Sequence, residues 1–205
     1  RPKVLGAILA ISWFWFLGAA YLTQFPNFAK TWLAGDETVV TLLLAMFIVG
    51  ISAGSMLCER LTKHRITLAP VPWGALGLTL LGIDLFFAVP ANPEPSTWLS
   101  LMTEPVYIRV LLDLVGIGIC GGLFIVPLYA FIQYETPDHK RARIIAALNV
   151  INSLFMVASA IAGILVLGVF GLGIPTFFLI LSLVNALVWV SVLGLRRRAA
   201  QSVDN

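Results

Sequence analysis

Val39 to Cys58 is a run without a single charged residue, and the seven residues that follow it hold Glu59, Arg60, Lys63, His64 and Arg65. A helix of ~20 apolar residues crosses ~30 Å of hydrocarbon. The run therefore reads as a membrane span that stops at a charged interface. Short loops rich in Lys and Arg stay on the cytoplasmic side, so this boundary also carries orientation.

Composition agrees. Hydrophobic residues make up 60% of the chain and charged residues 11%, with a mean hydropathy of +0.97. A soluble domain carries about 25% charge, which excludes that class. The net charge of +3 does not point to nucleic acid, because the basic residues lie in short clusters between apolar runs and form no phosphate-binding face. Cys58 sits at a span end and Cys120 inside a span, and both read as free packing thiols.

Six runs are long enough to span, near Val4 to Thr23, Val39 to Cys58, Leu68 to Val89, Tyr107 to Ile132, Ile144 to Val166 and Ile174 to Leu195. The first resembles a signal peptide in its basic start and small residues, but five further spans argue against that reading. With the N-terminus inside, the inner set of basic residues is Arg1, Lys3, Arg60, Lys63, Arg65, Lys140, Arg141, Arg143, Arg196, Arg197 and Arg198, against Lys30 and Arg109 outside. That is 11 against 2, and the opposite orientation reverses it. The expected fold is an all-α membrane protein, a single bundle of six transmembrane helices with both ends cytoplasmic and no soluble domain. The outer segments Gln24 to Glu37 and Pro90 to Pro105 read as turn-rich, mildly acidic loops.

Gly50 with Gly54, and Gly118 with Gly122, form small-xxx-small pairs that let helices approach closely in lipid. Gly116, Gly118 and Gly121 match GxGxxG, but inside an apolar helix the match has no strand before it and no helix opening onto water, so no dinucleotide site follows.

Charge within a span costs ~2.5 to 3.5 kcal/mol on insertion scales, so what persists there faces protein or water. Asp113 lies four residues after Arg109 on one helical face, which predicts a local ion pair, and Asp84 falls at a similar depth, where it could share Arg109. Asp84, Arg109 and Asp113 fit either a structural ion pair or a role in binding and gating. Trp13, Leu17, Tyr21 and Gln24 form one stripe of the first helix, a candidate cavity wall or a packing face. Asn149 and Asn152 share a face of the fifth span and need partners in hydrocarbon.

The segment from Ser55 through Glu59, Arg60, Lys63, His64 and Arg65 resembles the loop between the second and third helices of each half of major facilitator superfamily transporters, with Thr62 where that family prefers Gly. Residues 11 to 28 (ISWFWFLGAAYLTQFPNF), 41 to 61 (TLLLAMFIVGISAGSMLCERL) and 141 to 157 (RARIIAALNVINSLFMV) resemble the C-terminal six helices of the bacterial lysophospholipid transporter family, often fused to an acyltransferase. Leu148 departs from that pattern, which has a second polar residue beside Asn149.

The resemblance implies half of a transporter, built of two inverted three-helix repeats and facing a missing N-terminal six-helix bundle across an alternating-access cavity. It implies that the first and fourth spans line this cavity. It makes Glu59, Arg60, Lys63 and Arg65 a cytoplasmic gating motif. Trp13, Leu17 and Phe124 are then candidates for the acyl chain, and Tyr21, Gln24, Asp113, Asn149 and Asn152 for head-group or gating contacts. The implied substrate is a lysophospholipid, moved across a bacterial inner membrane toward an acyltransferase. The alternative is a multidrug carrier. An intramembrane enzyme would need a nucleophile, base or metal cluster in the spans, and His64 and His139 fall in loops, so neither catalysis, metal nor cofactor is expected.

Overall fold

The computed structural model describes residues 2–63 and 65–200, so Arg1 and His64 lie outside it. Seven helices follow one another: α1 (Pro2–Trp32), α2 (Glu37–Thr62), α3 (Val71–Ala88), α4 (Trp98–Thr103), α5 (Pro105–Glu135), α6 (Asp138–Gly163) and α7 (Ile174–Ala200), with α6 running on as a π-helical stretch, Ile164–Val169. Six of them, all but α4, are long and apolar enough to cross a membrane. The described chain is an all-helical bundle of multi-pass character.

The helices outrun the expected spans where polar residues continue an established helix. Gln24 to Trp32, expected as loop, belongs to α1, and Pro26 lies inside that helix. Proline removes one backbone donor, a loss that neighbouring groups in membrane helices can offset. Lys140, Arg141 and Arg143, expected in a loop, instead occupy the first turns of α6, where Arg141 pairs with Asp138 at 2.6 Å. His139 also lies in α6, and Arg196 and Arg197 in α7. Polar side chains at a helix end reach water without ending the helix, so hydropathy underestimates its length.

Between α3 and α5 the expected loop holds the short helix α4, and its strand-like start is pinned to the α1–α2 turn. Ser96 N–H donates to the Ala34 carbonyl at 3.0 Å, and the Ser96 hydroxyl donates to the Leu33 carbonyl at 2.7 Å. Asp36 caps α2 by accepting from the backbone N–H groups of Thr38 and Val39. At the other end of α2, Lys63 follows Thr62 in the left-handed conformation at φ 49°, and its backbone N–H donates to the Arg60 carbonyl at 3.3 Å, closing the helix.

Packing follows the small residues. α5 is central, touching α1, α2, α3 and α4, while α3 meets α7 and α1 meets α6 and α7. Gly50 and Gly118 face one another closely enough that a Cβ on Gly118 would lie 2.8 Å from the Gly50 Cα, and a Cβ on Gly122 would lie 2.6 Å from the Ile51 carbonyl oxygen. The glycine pairs anticipated from spacing thus face each other, and α2 and α5 meet backbone to backbone. The core between the helices is aromatic: Phe25, Phe28, Phe124, Phe177 and Phe178 are fully buried. Exposed faces carry large apolar side chains such as Trp73, Leu80 and Phe87 on α3, as expected of surfaces that meet lipid.

Candidate functional site

The helices α1, α2, α5 and α6 enclose a cleft of about 580 Å³. Phe14, Trp15, Gly18 and Leu22 of α1, Phe47 and Ile51 of α2, Val126, Tyr129 and Gln133 of α5 and Met156 of α6 line it. Across it the Trp15 indole N–H donates to the Tyr129 hydroxyl at 3.1 Å, joining α1 to α5. A Cβ on Gly18 would meet nothing within 4 Å, so the cleft reaches the α1 backbone there. No lining residue carries a charge, and the wall suits an apolar or aromatic body with a few hydrogen bonds from Trp15, Tyr129 and Gln133.

The stripe singled out on α1 lies on a different face. The Trp13 indole donates to the Asn185 side-chain oxygen at 2.8 Å, and its ring stacks on Phe16 at 5.0 Å. Leu17 and Tyr21 are buried in the core, with Tyr21 stacked on Phe178 at 4.4 Å. Gln24 sits between α1 and α6, its side-chain nitrogen 3.8 Å from where a Gly163 Cβ would lie. Phe124, named as part of the wall, is fully buried and stacks on Phe14. Helical spacing groups residues into a stripe, but which stripe faces the cleft depends on how α1 is turned against α2 and α7.

Asn149 and Asn152 also part company. Asn152 is 6% exposed and accepts from the Ser12 hydroxyl at 2.8 Å, whereas Asn149 is exposed. Asn185 was missed although it carried the same signal, a lone carboxamide in an apolar run. It is 1% exposed, and besides receiving Trp13 it donates to the Ala75 carbonyl at 2.8 Å and to the Thr79 hydroxyl at 3.0 Å, tying α7 to α1 and α3.

Arg109 does not pair with Asp113 as the spacing predicts. Both its fork nitrogens go to Asp84 across α3 and α5, the Nε–Oδ2 bond being 3.0 Å. Asp113 is turned inward, 4% exposed, and its Oδ2 has no hydrogen-bond partner. An acid on the neighbouring helix presents both oxygens to the guanidinium fork, the geometry in which Arg and carboxylate pair best.

At the far end of α2, Glu59, Thr62 and Arg65 line a pocket of about 410 Å³ closed by Val126 and Pro127 of α5, while Arg60 and Lys63 are exposed beside it. Among the described residues no cluster of His, Cys, Asp and Glu is placed to hold a metal ion.

Fold and cleft together define a multi-pass helical membrane bundle with an uncharged, aromatic cleft on one side. Compared with protein-family models, curated proteins and solved structures, the chain matches none.

Proposed function

We propose that this bundle is the C-terminal half of a major facilitator superfamily transporter that moves lysophospholipids across a bacterial inner membrane by alternating access. The cleft carries this reading. It is uncharged, lined by Trp15, Phe14 and Tyr129, and formed by the first and fourth spans with help from the second and fifth.

The packing supports it. Exchanging α1, α2 and α3 for α5, α6 and α7 turns the α2–α5 contact into α6–α1 and the α3–α5 contact into α7–α1, and leaves the α1–α5 and α3–α7 contacts unchanged. Two inverted three-helix repeats would leave that pattern. The basic residues Arg60, Lys63, Arg65, Lys140, Arg141, Arg143, Arg196 and Arg197 collect at the end shared by the α2–α3 and α5–α6 links, which by the positive-inside rule is cytoplasmic.

In this reading a second six-helix bundle faces the cleft. The acyl chain lies along Phe14, Trp15 and Leu22, and the facing bundle supplies the cation for the head-group phosphate. An acyltransferase, fused or associated, takes up the delivered lipid. Glu59, Arg60, Lys63 and Arg65 bias the equilibrium between the two access states. A second reading has one observation in its favour: an aromatic cleft without a cation also suits a lipophilic drug.

Uptake of labelled lysophospholipid by spheroplasts expressing the intact gene separates the two. Uptake above an empty-vector control is the expected result. No uptake, together with export of a cationic dye, would replace the lipid reading by the drug carrier.

A further inference from the structure

Where α5 turns into α6, at the end of the bundle that gathers most of its Lys and Arg, a cavity of about 340 Å³ lies between α1 and α6. Small-molecule sites occupy ~300 to 1,000 Å³. Its walls are of two kinds. Leu5 and Ile8 of α1 and Ile144 of α6 form an apolar side, while Thr136 and Lys140 form a polar end. Among the described residues it shares none with the aromatic cleft.

Thr136 points to a ligand. It is 2% exposed, and its hydroxyl has no hydrogen-bond partner. A buried hydroxyl in that position has lost its hydration with nothing in return, which is rare in folded chains. The hydroxyl is not spent on α6. Pro137 holds the N-cap position, and α6, 26 residues long, starts with no side-chain cap. The positive end of the helix therefore opens next to Thr136, a setting that favours an anion.

The charged groups around the pocket point the same way. Asp138 is taken up by Arg141 at 2.6 Å, and Glu135, the acid of the lining, is also engaged. Lys140 and Arg143 add positive charge to the same two turns of α6. A free anion would leave the apolar side wet, and a bare hydrocarbon would leave Thr136 unmet. An amphiphile with a phosphate satisfies both. Basic clusters just beyond a membrane span attract anionic lipids.

We propose that this pocket binds one anionic phospholipid. Its phosphate oxygens accept from the Thr136 hydroxyl, the Lys140 ammonium and the first backbone N–H groups of α6, and an acyl chain lies against Leu5, Ile8 and Ile144. The lipid fastens the α5–α6 turn to α1. Because the aromatic cleft lies elsewhere, the site stands whether or not the bundle carries lysophospholipid.

The test is native mass spectrometry of the full-length protein in detergent, titrated with phosphatidylglycerol and, separately, with zwitterionic phosphatidylcholine. One phosphatidylglycerol should be retained at concentrations where phosphatidylcholine is not. Thr136→Val keeps the side-chain shape and removes a hydroxyl that bonds nothing in the structure, so it should fold as the wild type does and weaken retention about 10-fold. Lys140→Gln should weaken it ~5-fold. Ile144→Trp, which fills the pocket, should abolish it, and Arg197→Gln, at the end of α7, should leave it unchanged. Retention unaltered in Thr136→Val and Ile144→Trp would overturn the site. An equal loss in Arg197→Gln would reduce it to diffuse attraction by the basic end and overturn it as well. Displacement of the lipid by inorganic phosphate would make the ligand a free anion, and equal retention of phosphatidylcholine would remove the charge recognition; either outcome would overturn the proposal.

Discussion

The Ser12 hydroxyl donates to the Asn152 side-chain oxygen at 2.8 Å, and both residues are buried in the seam between α1 and α6. Interhelical hydrogen bonds of this kind contribute ~0.6 kcal/mol on average in membranes and up to ~1.7. Asn152→Ala should therefore lower stability by roughly 1 kcal/mol, read as detergent-induced unfolding. Asn149→Ala, on the exposed face, should change it by less than about 0.5 kcal/mol. Equal effects would mean that the seam is not held by this bond.

Two glycines should differ in what an added methyl costs. A Cβ on Gly54 would run into the Ile119 carbonyl, whereas one on Gly18 meets open space. Gly54→Ala should cost ~1 to 3 kcal/mol by forcing α2 from α5, and Gly18→Ala should be near neutral by the same unfolding assay. If the cleft is the transport pathway proposed above, Gly18→Trp, filling it, should leave the bundle folded and block transport. Normal transport by that variant would move the pathway off this face.

Sidedness is open to cysteine labelling, and the structure decides where the probe goes. Ser96, within the segment expected as an outer loop, is 4% exposed and bonded to Leu33 and Ala34. Glu94 is exposed. In a variant lacking Cys58 and Cys120, a cysteine at Glu94 should react with an impermeant thiol reagent from outside the cell, and one at Lys63 only after lysis. The reverse pattern would invert the bundle.

The cap of α2 should be pH-dependent. The Thr38 hydroxyl, followed by the Val39 and Thr38 backbone N–H groups, holds the exposed Asp36 carboxyl below its ordinary range. A carboxyl lowered by folding contributes stability that is present above its unfolded pKa of about 3.9 and is lost as pH falls through the folded value. Hydrogen exchange at Thr38 and Val39 should thus show protection at neutral pH that weakens in strong acid. Asp36→Asn should abolish the pH dependence while keeping an acceptor for the cap.

The number of spans, their order and the glycine pairs were legible in the sequence because each is local. An apolar run of sufficient length must cross or be buried, and Gly50 with Gly54 stays on one face however the helix is turned. Polar ends were misread for a local reason as well: Gln24 to Trp32 and the turn from Asp138 to Arg143 are hydrophilic, yet helical. Only the tertiary structure decided azimuth and partner. Trp13 and Trp15 are two residues apart in similar surroundings, but α1 is turned so that one meets Asn185 and the other Tyr129. Arg109 has an acid one turn away on its own helix and another across on α3. It takes Asp84 because the packing of α3 on α5 presents both carboxylate oxygens to the guanidinium, a geometry set by helices far apart in the chain and invisible to any spacing rule.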